Sequence, residues 1–98
     1  MLLKDKTAVV TGCNKGIGKK ILEVFSANGA TVFACVRNID EQFESSISEL
    51  KKKFNNQIIP IQFDLNDEKT IKESADKIIT SNKPIDILVN NAATIHTS

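Results

Sequence analysis

The stretch Thr11-Gly12-Cys13-Asn14-Lys15-Gly16-Ile17-Gly18 decides the fold of this chain. Its glycines occupy the first, fifth and seventh positions counted from Gly12. Before it stands Thr7-Ala8-Val9-Val10, a short apolar run typical of a strand that helices bury on both faces. After it, apolar residues recur at helical spacing, at Ile17, Ile21, Val24 and Phe25. We therefore predict a strand, a glycine turn and a helix, which Asn28-Gly29 closes.

Apolar runs and helical patterns continue to alternate along the rest of the chain. Three more runs predict strands, at 31–36, 58–63 and 85–89. Two apolar stripes predict the inner faces of two further helices: Phe43, Ile47, Leu50 and Phe54 in the first, and Ile71, Ala75, Ile78 and Ile79 in the second. Asn66 or Asp64 is expected to cap the second of these helices, and Lys83-Pro84 to end it.

The order of these elements predicts the topology of the sheet. Strands that alternate with helices pair in parallel through right-handed crossovers. Pro60 cannot donate a ladder hydrogen bond, which places the third strand at an edge. We therefore predict a single domain over residues 1–98. Its fold class is α/β, a Rossmann-like doubly wound parallel sheet of four strands in the order 3-2-1-4 with three helices.

The glycine turn has the features of an anion-binding site. Glycines beside a helix N-terminus let a pyrophosphate approach the free backbone N–H groups and the positive end of the helix dipole. A nucleoside-triphosphate P-loop needs two glycines separated by four residues and followed by Lys and then Ser or Thr, and this stretch does not meet these conditions. The glycine spacing also differs from G-x-G-x-x-G. A turn that binds nothing is the alternative.

Three motifs stand in order at the carboxyl ends of the first, third and fourth predicted strands. They are Thr11-Gly12-x-x-x-Gly16-Ile17-Gly18, Asp64-Leu65 and Asn90-Asn91-Ala92-Ala93. Through these motifs the chain resembles the N-terminal, cofactor-binding half of a short-chain dehydrogenase/reductase, and in particular the 3-oxoacyl-acyl-carrier-protein reductase-like members. The family pattern has glycine where Ala93 stands.

The resemblance implies a nicotinamide dinucleotide along the carboxyl edge of the sheet. The glycine turn would line the pyrophosphate and the adenosine ribose, and Asp64 would accept from the adenine amino group. Asn91 and the two alanines after it would lie along the ribose near the nicotinamide. Asp64 as a helix cap is an alternative compatible with that role. The expected cofactor contacts are Gly12, Asn14, Lys15, Gly16, Ile17, Gly18, Arg37, Asn38, Asp64, Leu65, Asn91, Ala92 and Ala93.

The end of the second strand favours NADP (NADPH) over NAD. An acidic side chain there would bond both hydroxyls of the adenosine ribose. The chain instead reads Cys35-Val36-Arg37-Asn38, and no carboxylate comes before Asp40. The planar guanidinium of Arg37 suits a 2′-phosphate, which Lys15 can approach from the other side. Two solvated surface cations are the alternative.

The activity implied by the resemblance is hydride transfer between the cofactor and a ketone, an alcohol or a 3-oxoacyl substrate. The family uses a serine and a Tyr-x-x-x-Lys pair for this chemistry, and the chain contains no tyrosine. We therefore expect no catalytic residue here, and a truncated oxidoreductase whose fourth strand lacks its next neighbour. Full-length members are usually homo-oligomeric and act on small molecules. The alternative is a free-standing module that senses a dinucleotide or binds a partner.

Composition narrows the other classes of function. The 98 residues are 41% hydrophobic and 26% charged, as in an ordinary globular protein, and the net charge of +1 argues against nucleic-acid binding. The absence of a signal peptide or an apolar run of membrane-spanning length predicts a cytoplasmic protein. Cys13 and Cys35 lack a C-x-x-C pattern or a nearby histidine, which predicts two free thiols and no metal.

Overall fold

The computed structural model describes residues 2–91. It contains four strands and three helices in strict alternation over these residues. They are β1 (Thr7–Thr11), α1 (Gly16–Ala27), β2 (Thr31–Val36), α2 (Glu41–Phe54), β3 (Ile58–Gln62), α3 (Glu68–Thr80) and β4 (Ile87–Val89). Ala92 and Ala93 lie outside the described residues. Within that described part, no helix has the length and apolar character needed to cross a bilayer.

The strands form one parallel sheet in the order β3-β2-β1-β4, which confirms the predicted topology. Pro60 pairs with Ala34 in the edge strand β3, where its missing N–H costs no ladder bond on the outer side. β4 is shorter than the predicted run of 85–89. The Asp86 carboxylate accepts from the backbone N of Thr7 at 2.9 Å. The N–H of Thr7 therefore binds a side-chain oxygen instead of the backbone carbonyl of a paired strand residue.

Side chains on the two faces of the sheet build two separate apolar clusters. The larger one packs β-sheet residues such as Val10 against Leu22 of α1 and Phe43 of α2. The smaller one, on the opposite face, joins Phe33 and other sheet residues to Ile78 of α3. Helices therefore cover both faces, as the doubly wound fold class requires.

The buried faces of α1 and α3 differ from the predicted stripes. Ile17 and Val24 are 73% and 44% exposed, whereas Ile21 and Phe25 pack against the larger cluster as predicted, and the fully buried residue of α1 in that cluster is Leu22. In α3, Ile79 is 71% exposed while Thr70 and Ser74 are buried. The Ser74 hydroxyl donates to the Ile71 carbonyl at 2.9 Å, so its polar atom is satisfied inside its own helix. A small residue whose hydroxyl is hydrogen-bonded within its own helix can therefore be buried at a position where a hydropathy pattern does not predict burial.

The helix N-termini also differ from one another. Asp67 caps α3 by accepting from the backbone N of Lys69 at 3.0 Å, so the expectation of Asn66 or Asp64 as the cap is wrong. Asp40 caps α2 by accepting from the backbone N of Phe43 at 2.8 Å. At the start of α1 the capping position is Lys15, whose side chain makes no capping bond. The helix that follows the glycine turn therefore keeps its first N–H groups without a side-chain acceptor.

Candidate functional site

The glycine turn joins β1 to α1 through two residues in the left-handed region. Gly12 has φ of 63° and Gly16 has φ of 61°, conformations in which a Cβ is strained. The backbone N of Gly12 donates to the carbonyl of Cys35 at 2.9 Å, which fastens the turn to the end of β2. Cys13 is buried beneath the turn. The backbone of the turn is therefore fixed on the side that faces the sheet, and its opposite side is open.

The open side of the turn is built to admit an anion. A Cβ placed on Gly16 would meet no other atom within 4 Å, so space lies directly over the first turn of α1. Its first turn contains no acidic residue, and the capping residue Lys15 is exposed. The unbonded N–H groups and the positive end of the helix dipole are thus available to an external negative charge. Ile17, exposed beside them, offers an apolar surface.

Gly18 serves packing rather than ligand access. A Cβ on Gly18 would overlap the carbonyl oxygen of Gly12 and would lie 2.6 Å from Nδ2 of Asn91. That Nδ2 donates to the same carbonyl oxygen at 3.2 Å. The third glycine therefore lets α1, the glycine turn and the end of β4 meet at one point.

The end of β4 is tied to the end of β1 by side-chain hydrogen bonds. The backbone N of Asn91 donates to Oγ1 of Thr11 at 2.9 Å, and the Thr11 hydroxyl lies 3.1 Å from Oδ1 of Asn90. Thr11 itself is buried. Together with the bond to the Gly12 carbonyl, these bonds hold Asn91 next to the glycine turn.

The ends of β2 and β3 bring two expected cofactor contacts together. Nε of Arg37 lies 3.7 Å from Oδ1 of Asp64, and the two side chains are 61% and 26% exposed. Oδ1 of Asp64 also accepts from the backbone N of Asn66 at 2.9 Å. Leu65 is 40% exposed beside this pair, and Asn38 is exposed next to Arg37. Asp64 therefore shapes its own loop as well as facing the arginine.

A cleft of about 240 Å³ lies between the first turns of α1 and α2. Asn14 and Lys15 line it from the glycine turn, and Asp40, the cap of α2, lines it from the other side. Lys19 also lines this cleft, and we did not predict it from the sequence. Its position four residues after Lys15, one helical turn further along α1, is the signal that could have found it.

The expected residues thus gather along one edge of the sheet, in two groups. The first surrounds the glycine turn and includes Asn91, and the second is the pair of Arg37 and Asp64. The cation of Lys15 faces the cleft beside the first group. In open α/β sheets this carboxyl edge is the place where ligands bind.

Comparisons with known proteins agree with this architecture. The family model for short chain dehydrogenases matches residues 6–98, and the chain belongs to that family. A short-chain dehydrogenase/reductase of Armillaria gallica is 40% identical over 95 residues, covering 95% of this chain and 29% of the relative. Human retinol dehydrogenase 12 is 35% identical over 91 residues, 92% of this chain and 28% of the relative. The chain therefore spans less than a third of the length of these relatives.

Among solved structures, L-sorbose reductase from Gluconobacter frateurii, in complex with NADPH and L-sorbose, superposes with a TM-score of 0.83 at 30% identity. The alignment covers 94% of this chain and 35% of the reductase. The narrower likeness to 3-oxoacyl reductases stays a prediction.

Proposed function

We propose that this chain binds NADP(H) and forms the cofactor-binding portion of an oxidoreductase. The observation that carries the proposal is the N-terminus of α1. This helix begins at the left-handed Gly16, four residues after the left-handed Gly12, and it has open space at Gly16 and no side-chain cap. Asp40 and Asp67, by contrast, cap the other two described helices. An uncapped helix start with this clearance fits a pyrophosphate.

Each part of the carboxyl edge has a role in this proposal. The backbone of Gly12 to Gly18 accepts the pyrophosphate and positions the adenosine ribose, with Asn14 and Ile17 contacting the ribose. Asp64 and Leu65 border the adenine. Asn91, held by its bonds to the glycine turn and to Thr11, borders the ribose on the nicotinamide side together with Ala92 and Ala93.

The preference for NADP over NAD rests on the charges near the end of β2. Arg37 offers a guanidinium for the 2′-phosphate, with Asn38 next to it in the sequence, and Lys15 of the glycine turn would supply a second cation. The next carboxylate, Asp40, accepts from the backbone N of Phe43 at 2.8 Å and is thereby engaged in capping α2. A carboxylate used in this way is poorly placed to bond both ribose hydroxyls. The NADPH bound to L-sorbose reductase supports the same choice.

For the longer protein, we propose oxidoreduction of a small-molecule ketone, alcohol or 3-oxoacyl substrate in the cytoplasm, in a homo-oligomer. The bound cofactor would supply the hydride. The 98 residues contain no tyrosine, so we assign them the binding and positioning of the cofactor. The residue that protonates the substrate oxygen would belong to another part of the longer protein. Their fixed turn and tied β4 would hold the dinucleotide in one orientation, which lowers the entropic cost of reaching the reactive geometry.

Calorimetric titration of the full 98-residue chain with NADPH and, separately, with NADH tests this proposal, because it measures the affinity for each cofactor. We expect tighter binding of NADPH, and an Arg37→Asp variant should lose NADPH affinity selectively because a like charge then meets the 2′-phosphate. Lys6→Asp is the matched control, since it makes the same charge change on an exposed residue before β1, at the opposite edge of the sheet. Equal affinities for the two cofactors, or an equal loss of both in Arg37→Asp, would contradict the preference.

A partner-binding module is the second candidate function, and the exposed side of β4 favours it. Among residues 2–91, β4 pairs with β1 alone, and Leu88 is 69% exposed. A strand edge with an exposed aliphatic residue can accept a further strand. If the chain is such a module, its mass in solution should exceed 10.8 kDa or rise with a partner, whatever its affinity for NADPH.

A further inference from the structure

The ion pair between Arg37 and Asp64 joins two residues to which the proposed function gives separate roles. The contact is made by Nε of the arginine, at 3.7 Å from Oδ1 of Asp64. A guanidinium has five N–H donors in a rigid plane, so a contact at Nε leaves both terminal nitrogens for another anion. The 3.7 Å separation is that of an ion pair without a hydrogen bond, so Asp64 can draw the guanidinium toward the end of β3 without using the donors that would meet a phosphate.

The carboxylate of Asp64 is itself firmly placed. Its Oδ1 accepts from the backbone N of Asn66 at 2.9 Å, and its own backbone N donates to the hydroxyl of Thr70 at 3.0 Å. Thr70 is buried, and its hydroxyl lies 2.8 Å from the Asp67 carbonyl at the start of α3. The chain of bonds from α3 through Asp64 gives the long and exposed arginine a fixed neighbour.

We propose that Asp64 is a positioning residue for cofactor choice: by orienting the Arg37 guanidinium, it increases the preference for the 2′-phosphorylated dinucleotide. This inference rests on the proposed NADP(H) binding. It also opposes the simplest electrostatic expectation, because a negative charge next to a phosphate site should weaken phosphate binding. The two effects have opposite signs, so one substitution separates them.

The test replaces Asp64 in the full chain and measures the ratio of NADPH to NADH affinity by calorimetry. Asp64→Asn removes the charge and keeps an oxygen for the N–H of Asn66. Asp64→Ser does the same with a hydroxyl, in case the amide variant does not fold. Asp76→Asn, an exposed residue of α3, is the control for loss of one negative charge elsewhere.

We expect the ratio to fall about threefold in the Asp64 variants, the size of effect that a partly exposed ion pair supports. The Asp76 control should leave it unchanged. In an Arg37→Gln background, Asp64→Asn should no longer lower the ratio, because the group it positions is gone. A shared loss of adenine contacts cannot produce this pattern, since it weakens both cofactors alike.

Any of four results would overturn the inference. A higher ratio in Asp64→Asn would show that charge repulsion dominates, and an unchanged ratio with weaker binding of both cofactors would leave Asp64 with the adenine alone. A fall of the same size in the Arg37→Gln background would show that Asp64 acts without the arginine. If the wild-type chain does not prefer NADPH, the proposed cofactor choice fails and this inference falls with it.

Discussion

Replacing Gly18 with alanine should destabilise the fold, whereas replacing Gly16 should mainly weaken ligand binding. The Cβ added at Gly18 would overlap the Gly12 carbonyl oxygen and lie 2.6 Å from Nδ2 of Asn91. Overpacking of this kind costs roughly 1–3 kcal/mol, since the obstacle is backbone that cannot rotate away. Loss of the 3.2 Å bond from Asn91 to that carbonyl adds about 1 kcal/mol, and the better helix propensity of alanine returns about the same amount.

The net expectation for Gly18→Ala is therefore a loss of roughly 2 kcal/mol in the free energy of unfolding. For a domain of this length, that lowers the midpoint of thermal unfolding by roughly 8–16 °C. Circular dichroism of the full chain, heated at constant pH, measures the change.

Gly16→Ala is the matched control because its added methyl group meets no atom within 4 Å. Its only structural penalty is the left-handed backbone, φ of 61°, which costs an alanine about 1–2 kcal/mol, partly offset because the unfolded chain also loses freedom. That methyl group would, however, occupy the space proposed for the pyrophosphate. We expect NADPH affinity to fall at least about tenfold, the equivalent of about 1.4 kcal/mol, with a smaller change in stability than in Gly18→Ala.

A wild-type unfolding midpoint for Gly18→Ala would refute the close approach of α1, the glycine turn and β4. A Gly16→Ala variant that binds NADPH as the wild-type chain does would refute the pyrophosphate site over α1. Because the two variants differ by two positions in the same turn, a nonspecific effect of added methyl groups would change both properties together.

Two other perturbations give separate checks. Asp40→Ala should cost about 1 kcal/mol of stability by removing the cap of α2, whereas Asp40→Asn should retain most of it, as urea unfolding would measure; equal losses would argue against the capping role. Burial raises the pKa of the Cys13 and Cys35 thiols to about 12, so the folded chain keeps protons that the unfolded chain releases. The contribution of the protonated thiols to the free energy of unfolding is fully present below about pH 9. It declines as the pH rises toward 12, by about 1 kcal/mol per thiol between pH 9 and 10. A variant with both cysteines replaced by alanine should show a shallower decline, and an unchanged slope would exclude the thiols as its cause.

The sheet was predictable because its determinants are local and few. Each strand is a short apolar run, each crossover is long enough for a helix, and Pro60 assigns β3 to an edge of the sheet. The resulting order, β3-β2-β1-β4, then brings the ends of the strands to one edge whatever their detailed packing. This is why the glycine turn, Asp64 and Asn91 could be expected along one edge before any distance was known.

The helix faces were less predictable because hydrophobicity is only one reason for burial. Ile79 is exposed while Ser74, whose hydroxyl is satisfied by a carbonyl of its own helix, is buried. In α1, Ile21 and Phe25 pack on the core as predicted, but Leu22 is the most buried of its apolar residues and Ile17 and Val24 are exposed. The spacing of apolar residues is compatible with several orientations of a helix about its axis, and the shape of the facing sheet decides among them.

The partners of the charged residues were the least predictable feature, and they govern the proposed choice of cofactor. From the sequence, Asp40 is a carboxylate three residues after Arg37, and Asp64 is an adenine contact or a helix cap. In the structure Asp40 caps α2, and Asp64 faces Arg37 instead of capping α3. Each assignment depends on which N–H group lies nearby, a property of loop geometry rather than of residue type. An acidic residue near the end of β2 therefore argues for NAD only when its carboxylate is not already accepting from a helix N-terminus, as that of Asp40 is here.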